Sequence, residues 1–562
     1  MTMKAATLDI GDLLREAVGA QQSGRLREAE KLYTRILKVA PQQFDALNLL
    51  GTVKAQQGQI GEAQRLFSAA VKANPRAPQG WSNLGQALHA LRRSAEALEC
   101  FDKAQALAPD DINTLYQRGN VLLSLERAAD ALAQFQKVLV RVPQHIEARI
   151  NCGLCQAALG APELALTEFD AALALASDHP NAHYNRGVAL IKLGRYEEAI
   201  EATDRALAAA PNHANAWLNR GKALIQLNYH GEAIAAYAEM IELNKDNADA
   251  HFNLALAQLA LGDYARGFAE YEWRWRRTGM PPQKSRGRPL WLGEYPLARK
   301  TILLHAEQGL GDTIQFARYV PMLAATGAKV VLEVQGELKS LLARLAGAAA
   351  VIAREEPLPP FDVHCPLGSL PLAFKTQLAT VPAPIPYLSA DEAHLAKWSA
   401  RLDALPRPRI AICWSGNPAH ENDRNRSITL TRLKPLFAAS PQASFVSVQR
   451  DLRHEDIDAL AGEPRLVHLG AELEDFSDTA AVLALCDLVI TVDTAPAHLA
   501  GAMGRPLWLL LPFSPDWRWT IDAGTTPWYP AVRLFRQPAP EDWDSVIARL
   551  GAALGQMEAG HP

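Results

Sequence analysis

The chain has 562 residues, more than one hydrophobic core usually organises, so two or three domains are expected. The formal net charge is -4, with 57 Lys and Arg against 61 Asp and Glu. This balance argues against a nucleic-acid or anionic-membrane partner. The N-terminal stretch MTMKAATLDIGDLLREAV has no uninterrupted apolar segment, and no run of about 18 apolar residues occurs, so no membrane span is predicted.

The cysteines are few and irregularly spaced, which favours a reducing compartment, and the protein is predicted to be cytoplasmic. Cys152 and Cys155 form one CxxC motif, but no second pair or histidine cluster completes a zinc site. Both fall in a predicted packed helix, so a structural role is favoured and no metal is predicted.

The first half of the chain repeats every 34 residues. One series consists of small residues, beginning Gly51, Gly85, Gly119, Gly153, Gly187 and Gly221, and a second is mostly aromatic, with Phe67, Phe101, Phe135, Phe169, Thr203 and Tyr237. Prolines close most units, with Ser177 and Lys245 as exceptions. Apolar residues at three- and four-residue steps on either side of a polar break predict two helices per unit, in which the aromatic ring fills the groove left by the small residues.

This pattern resembles the tetratricopeptide repeat (TPR), with seven units and a partial eighth ending in YEWRWRR. The TPR array is predicted over residues 10–277 as an all-α superhelical solenoid with a concave inner face. A column of side-chain amides on that face is predicted to bind a protein client through its backbone: Asn83, Gln117, Asn151, Asn185, Asn219 and Asn253. The alternative is that these amides only solvate the helix or tie neighbouring units together.

Residues 278–300 are rich in Pro, Gly and basic residues and are predicted to be a linker. From Thr301 short apolar strands alternate with helices, which predicts parallel sheets buried on both faces. A proline-rich hinge at 381–389 divides them into two Rossmann-like α/β domains, 301–389 and 390–562. Ligands of such sheets bind beyond the carboxyl ends of the strands, so both domains direct their loops at a shared cleft.

Three loops at strand ends carry the predicted site. In HAEQGLGD, Gly309 and Gly311 are expected to let the backbone turn sharply and approach a ligand, while Asp312 is expected to act as a helix N-cap or a base. The second loop precedes a predicted helix whose N-terminus suits a diphosphate; the third is polar and basic. The predicted donor-binding residues of these two loops are Asp493, Thr494, Ala495 and His498, and Ser415, Gly416, Asn417, Arg424 and Arg426. His498 is expected to face either phosphate or core, and the two arginines could equally be solvated loop charges.

Residues 301–554 resemble the ADP-heptose:lipopolysaccharide heptosyltransferases (glycosyltransferase family 9), through GLGD at 309–312 and DTAPAHLAGAMGRP at 493–506. The resemblance implies a GT-B fold, Asp312 as catalytic base with Gln308, Gly309 and Gly311 on the acceptor-side loop, and donor phosphates bound at Asp493, Thr494 and Ala495. Two departures are Asp-Thr-Ala in place of the family's Asp-Thr-Gly, and the TPR array. The fusion is instead similar to bacterial TPR glycosyltransferases that modify flagellins or other proteins, and in outline to O-GlcNAc transferase.

The sequence therefore predicts a metal-independent glycosyltransferase with no cofactor, which moves a sugar from a nucleotide-diphosphate donor to a Ser or Thr hydroxyl of a client protein. One alternative is a TPR adaptor whose GT-B half has lost turnover, and the Ala at 495 fits that reading. Another is an enzyme acting on a lipid-linked or polysaccharide acceptor. The sugar, the nucleotide, the client, the stereochemical outcome and the oligomeric state stay open.

Overall fold

A computed structural model describes residues 9–279, 287–382, 384–420, 422–521 and 523–558. The chain divides into two compact units, one ending at Asn219 and the other beginning at Arg220. The second unit therefore begins before the linker predicted from sequence and includes the last repeats. Residues 280–286 of that linker lie outside the described residues.

The repeats form sixteen helices in the described ranges, two to a unit, as the sequence predicts. They are α1 (Ile10–Gln22), α2 (Leu26–Val39), α3 (Phe44–Gln56), α4 (Ile60–Ala73), α5 (Pro78–Ala90), α6 (Ser94–Leu107), α7 (Ile112–Ser124), α8 (Ala128–Arg141), α9 (Ile146–Ala158), α10 (Pro162–Leu175), α11 (Pro180–Lys192), α12 (Tyr196–Ala209), α13 (Ala214–Gln226), α14 (His230–Leu243), α15 (Ala248–Ala260) and α16 (Tyr264–Tyr271). A 3-10 turn, Glu272–Arg276, follows α16 directly.

The glycine series is explained by the aromatic series. At Gly153 a Cβ atom would lie 2.5 Å from the Phe169 ring, and at Gly221 it would lie 2.4 Å from Tyr237. Where Thr203 replaces the ring, the corresponding distance from Gly187 is 3.0 Å. The glycines are required because the ring of the second helix packs directly on the backbone of the first, which confirms the predicted role of both series.

Two further series of side chains form hydrogen bonds at the ends of the repeat helices. Side chains at the N-cap of the first helix of a unit accept a hydrogen bond from the backbone three residues later; they are Gln43, Asp111, His145, His179, His213 and Asn247. Side chains in the first helix also donate to the carbonyl of the unit-closing residue; they are Trp81, Arg149, His183, Trp217 and His251. The acceptors include the carbonyls of Ser177 and Lys245, so the two units without proline are closed in the same way.

Cys152 and Cys155 lie in α9 within the repeat core, and burial raises the pKa of their thiols to about 12 and about 11. All six cysteines fall in the described ranges and are buried and free. Inert buried thiols of this kind fill space in a core. None of the helices in the described ranges is both long enough and apolar enough to cross a bilayer.

The first α/β lobe has a four-stranded parallel sheet in the order β3-β2-β1-β4. Its elements are β1 (Thr301–His305), α17 (Leu310–Phe316), α18 (Val320–Ala325), β2 (Lys329–Val334), α19 (Gly336–Leu342), β3 (Ala348–Ala353), β4 (Val363–Pro366) and α20 (Leu370–Ala373). Part of the predicted linker belongs to this lobe, since Leu290 pairs with His364 beside the sheet and Trp291 and Leu297 are buried in its core.

The second lobe has a six-stranded parallel sheet in the order β10-β9-β8-β5-β6-β7. Its elements are α21 (Glu392–Leu402), β5 (Arg409–Cys413), α22 (Asp423–Arg426), α23 (Leu430–Ala439), β6 (Ser444–Ser447), α24 (His454–Ala461), β7 (Leu466–His468), α25 (Phe476–Leu485), β8 (Leu488–Val492), α26 (Ala495–Ala502), β9 (Leu507–Leu511), β10 (Val532–Arg536) and α27 (Trp543–Glu558). Every residue of β5 and β8 is buried. A TPR solenoid followed by two parallel α/β lobes confirms the predicted fold class and is consistent with the GT-B arrangement.

Candidate active site at the interlobe crevice

The loop after β1 differs locally from its prediction. The helix begins at Leu310 with Gly309 as its N-cap, so Asp312 is its third residue rather than its cap. Asp312 Oδ2 accepts a hydrogen bond of 3.0 Å from the Gly309 N–H. Neither Gly309 nor Gly311 has a positive φ, so the backbone conformation of this loop does not itself require glycine.

A side chain at position 311 would collide with the other lobe. A Cβ there would lie 2.6 Å from His498 Cδ2 and 3.6 Å from the Cα of Ala495. The His498 ring has little room to move, because its Nδ1 is 3.1 Å from Tyr529 Oη and its ring packs 5.2 Å from that of Trp519. The N-terminal turns of α17 and α26 therefore meet at the crevice between the two lobes.

Burial keeps the His498 imidazole neutral. It lowers the pKa of His498 well below its ordinary value, and the nearby arginines act in the same direction. His498 Nε2 lies 3.9 Å from Asp493 Oδ1, so the ring stands between that carboxylate and the first lobe. The structure thus places His498 against protein on the side that faces α17; its predicted contact with a ligand stays a prediction.

A buried arginine joins the carboxylates of the two lobes. Arg518 forms an ion pair with Asp312, and its Nη1 also lies 2.9 Å from Asp516 Oδ1. The Arg518 side chain is only 8% exposed, whereas that of Asp312 is 26% exposed. Arg518 also donates to the buried amide oxygen of Gln315. A guanidinium with several fixed acceptors holds its carboxylate partners in defined positions.

Asp493 is a further carboxyl group at the crevice. Burial raises the pKa of Asp493 to about 6, and the neighbouring charge of Asp516 adds to this. Arg426 donates from Nη1 to the Asp493 carbonyl oxygen at 3.0 Å. The Asp493 side chain remains 16% exposed, so the carboxyl group can be reached from the crevice.

The two predicted arginines have different surroundings. The Arg426 side chain is 14% exposed and packs on Gly416, where a Cβ would lie 2.6 Å from its guanidinium. Arg424 is 72% exposed and pairs with Glu541 at 3.3 Å. Of the two alternatives for these residues, the structure favours a site role for Arg426 and a solvated surface charge for Arg424.

The remaining predicted donor-loop residues are engaged to different degrees. The Gly416 N–H donates to Ser427 Oγ at 3.0 Å, and the exposed Asn417 caps its own turn through Ala419. The Thr494 hydroxyl donates to the Val492 carbonyl at 3.2 Å, so it faces the end of β8. The hydroxyl that lacks a protein partner among the described residues is that of Ser415, whose side chain is buried.

Three buried polar groups around the crevice have no hydrogen-bond partner in the described part of the chain: Ser415 Oγ, Gln315 Nε2 and Arg426 Nε, the last of which lies 3.6 Å from Asp423 Oδ1. All three can donate, and a buried donor without an acceptor is costly. Their common chemistry fits a ligand rich in oxygen acceptors.

The amide column is divided. Asn83 donates to Asn48 at 3.0 Å and Asn151 donates to Asn120 at 2.9 Å, so both tie neighbouring units together, and Gln117 accepts from Asn120 at 3.5 Å. This supports the structural alternative for these amides. Three half-buried amides form no hydrogen bond within the described part of the chain: Asn185, Asn219 and Asn253.

Sequence reasoning missed the joining role of Arg518 and Asp516. Both lie in FSPDWRW, which follows β9. The Trp517 ring in this stretch packs against those of Tyr264 and Phe268 in α16, with centroid distances of 6.1 and 5.7 Å. A dense aromatic and charged segment beyond a strand end was the available signal.

Comparison with known families agrees with this architecture. Residues 14–59, 49–112, 116–180 and 180–213 match models described as tetratricopeptide repeat, and 221–262 matches one described as TPR repeat. Residues 437–515 match the model of glycosyltransferase family 9 (heptosyltransferase). The chain thus combines TPR repeats with a family 9 glycosyltransferase region. The matched region contains Asp493 to His498, while Asp312 and Arg518 lie outside it.

Among curated proteins, Protein FlbA of Caulobacter vibrioides is 29% identical over 294 residues. The match covers 48% of this chain and 48% of FlbA, so the chain spans about half the length of that protein. Solved structures similar to part of the chain include that of YrrB, a TPR protein, which is 24% identical in sequence and has a TM-score of 0.30. The match covers 33% of this chain and 95% of YrrB. TTC0263, a TPR protein from Thermus thermophilus, has 25% identity, 33% and 100% coverage, and a TM-score of 0.29.

Proposed function

We propose that the protein transfers a sugar from a nucleotide-diphosphate donor to a Ser or Thr hydroxyl of a client protein that is bound by the repeats. The observation that carries the proposal is the crevice itself, where Asp312 of one lobe pairs with Arg518 of the other. The family 9 match over the second lobe supports a glycosyl donor on that side. Flagellins are proposed as one class of client, and the support for them is the resemblance of the TPR fusion to glycosyltransferases that modify flagellins.

The donor diphosphate is proposed to bind on the second lobe. The N-terminus of α26 has no side-chain cap, and the positive end of its helix dipole favours a diphosphate. Arg426 stands beside it, its Nε without a hydrogen-bond partner among the described residues, and Ser415 Oγ is a further donor. Fixed donors of this kind stabilise the negative charge that develops on the leaving diphosphate.

Asp312 is proposed to accept the proton of the acceptor hydroxyl. As that oxygen bonds to the anomeric carbon, the bond from this carbon to the diphosphate breaks and its electron pair leaves with the diphosphate. Both carboxylate oxygens of Asp312 are engaged by protein groups, one by Arg518 and one by Gly309. The partial exposure of the Asp312 side chain leaves room for a hydroxyl to approach.

The engagement of Asp312 also supports the second candidate, a TPR adaptor without turnover. In that case Arg518 and Asp312 would form only a structural bridge between lobes. The two candidates differ in whether replacing Asp312 changes anything beyond stability.

The client is proposed to contact the repeats through free amides. Asn185 and Asn219, which lie in the first compact unit, are half-buried and form no hydrogen bond with the described part of the protein, so each can both donate to and accept from a peptide backbone. Asn83 and Asn151 are already paired with neighbouring amides and are not proposed as contacts.

A matched pair of carboxylate variants tests the proposal. Asp312 and Asp516 both pair with Arg518, but only Asp312 is the proposed base. Asp312→Asn is expected to lower turnover by about 1000-fold, whereas Asp516→Asn is expected to retain most of it. Sugars linked to ADP, UDP, GDP and dTDP would be supplied as donors, with thermal shift reporting binding and release of the nucleoside diphosphate reporting turnover.

The outcomes separate the candidates. Binding and turnover by the wild type, lost selectively in Asp312→Asn, support the transferase. Donor binding without turnover in any variant would favour the adaptor. Equal turnover in wild type and Asp312→Asn would remove Asp312 from the mechanism.

A further inference from the structure

The loop that carries Asp312 is held in place residue by residue. The Ala306 N–H donates to the Glu333 carbonyl at 2.9 Å, and the Ala306 carbonyl accepts from Arg354. The Gln308 carbonyl accepts from Gln335 Nε2 at 2.9 Å. These contacts lie within the first lobe and fix the backbone of the loop.

The side chains of the same loop are held from the last repeat. Gln308 Nε2 donates to the Tyr271 hydroxyl, the last residue of α16, at 2.7 Å. Glu307 pairs with Arg274 of the following 3-10 turn at 3.1 Å. Both side chains that precede Gly309 are therefore fastened by YEWRWR, which sequence reasoning treated only as the end of a partial repeat.

The ion pair between Arg274 and Glu307 is part of a buried hydrogen-bond network. The side chains of Arg274 and Glu307 are 2% and 4% exposed. Arg274 also donates to Ser369 Oγ at 2.6 Å and to Glu272 Oε1 at 2.6 Å. Glu307 Oε1 accepts from the Gly368 N–H at 3.1 Å as well. Burial raises the pKa of Glu307, which the charge of Arg274 opposes.

The hydroxyl of Tyr271 interacts electrostatically with charged groups of the crevice. Burial raises the pKa of Tyr271, and the charges of Arg518 and Asp312 both act on its hydroxyl. The same helix reaches the second lobe through Tyr264, whose hydroxyl accepts from Trp528 Nε1 at 2.9 Å. Helix α16 therefore contacts both lobes through two buried tyrosines of matching chemistry.

We infer that Tyr271 and Arg274 are positioning residues, which set the placement of Asp312 by holding Gln308 and Glu307. The inference rests on the proposed transfer reaction and adds to it that these two residues, which follow one another closely at the end of the repeat array, position the loop that carries the proposed base. Small displacements of a positioned catalytic group cause large losses of rate. Loosening this end of the loop should therefore lower kcat and leave the donor subsite on the second lobe unaffected.

The test compares Tyr271→Phe with Tyr264→Phe. Each removes one hydroxyl and leaves one N–H donor of the α/β half without its protein partner, the half-buried Gln308 Nε2 or the buried Trp528 Nε1. The cost in thermal stability is expected to be at least as large for Tyr264→Phe as for Tyr271→Phe, because only the Gln308 donor can be solvated. In full-length protein, with a donor that the wild type turns over, Tyr271→Phe is expected to lower kcat by about 10-fold with donor KM within about twofold, and Tyr264→Phe to change kcat by less than about twofold.

A second pair addresses the ion pair. Arg274→Gln is expected to lower kcat by about 100-fold, and Arg274→Lys to recover part of that loss. Equal kcat values in Tyr271→Phe and Tyr264→Phe, with the wild type active, would overturn the positioning role alone. Absence of turnover in the wild type with every donor would instead overturn the proposed reaction, and this inference with it.

Discussion

Two of the close contacts that require glycine in this protein differ in how often they recur. In the repeats, Gly153 lies beneath the Phe169 ring, and equivalent pairs recur through the array. At the crevice, Gly311 lies against His498, and this contact occurs once. The repeated contact builds a surface in which each unit depends on its own pair. The single contact at Gly311 instead sets how closely the two lobes approach, and the proposed reaction depends on both lobes. The same Gly-to-Ala substitution should therefore affect turnover more at Gly311 than in the repeats.

The largest effect is expected at the crevice. In Gly311→Ala the new Cβ would meet a His498 ring that Trp519 and Tyr529 keep from moving. The helices must separate, and turnover is expected to fall by about 100-fold. Gly336→Ala is the control, because a Cβ at this position of the same lobe meets nothing within 4 Å. Turnover of Gly311→Ala equal to that of the control would show that the crevice tolerates separation.

A smaller effect is expected in the repeats. Gly153→Ala forces a Cβ to 2.5 Å from Phe169 and should lower local stability by about 2 kcal/mol. Gly187→Ala faces Thr203 at 3.0 Å and should change local stability by less than about 1 kcal/mol, since alanine also favours the helix. Hydrogen exchange of peptides from α9 to α12 measures both. Donor turnover should be unchanged in both variants; a loss in Gly153→Ala would erase the contrast between the two regions.

The smallest effect concerns pH. Burial raises the pKa of Asp493 to about 6, above the value of about 4 for Asp in an unfolded chain. Between these values the folded protein keeps a proton that the unfolded chain has released, so the free energy of unfolding falls as pH rises from about 4 to about 6. Asp493→Asn should remove this fall from denaturant titrations across that range. The exposed Asp544→Asn should keep it. If the free energy of unfolding of Asp493→Asn falls with pH as it does in the wild type, the raised pKa does not belong to Asp493.

Local contacts made much of the fold predictable from sequence. Gly153 and Phe169 belong to the two helices of one unit, so their spacing appears as a period in the sequence. Strands such as β5 and β8, buried along their whole length, appear as continuous apolar runs. The less apolar β10, whose Arg533 is exposed, does not appear as such a run.

The candidate site was only partly predictable, because its contacts join distant segments. Asp312 was found through its motif, but its partner Arg518 comes from the other lobe and leaves no periodic signal. Arg424 and Arg426 look equivalent in sequence, yet only the latter packs on Gly416. Tyr271 could be read only as a repeat residue until its contact with Gln308 was known.

Intact-mass analysis of proteins co-expressed with this chain tests the central claim most directly. The account predicts a client that gains the mass of one or more sugars on Ser or Thr when the wild type is present, and that gains none when Asp312→Asn replaces it. A client mass that is the same with both proteins, or sugar found only on lipid or polysaccharide, would contradict the account.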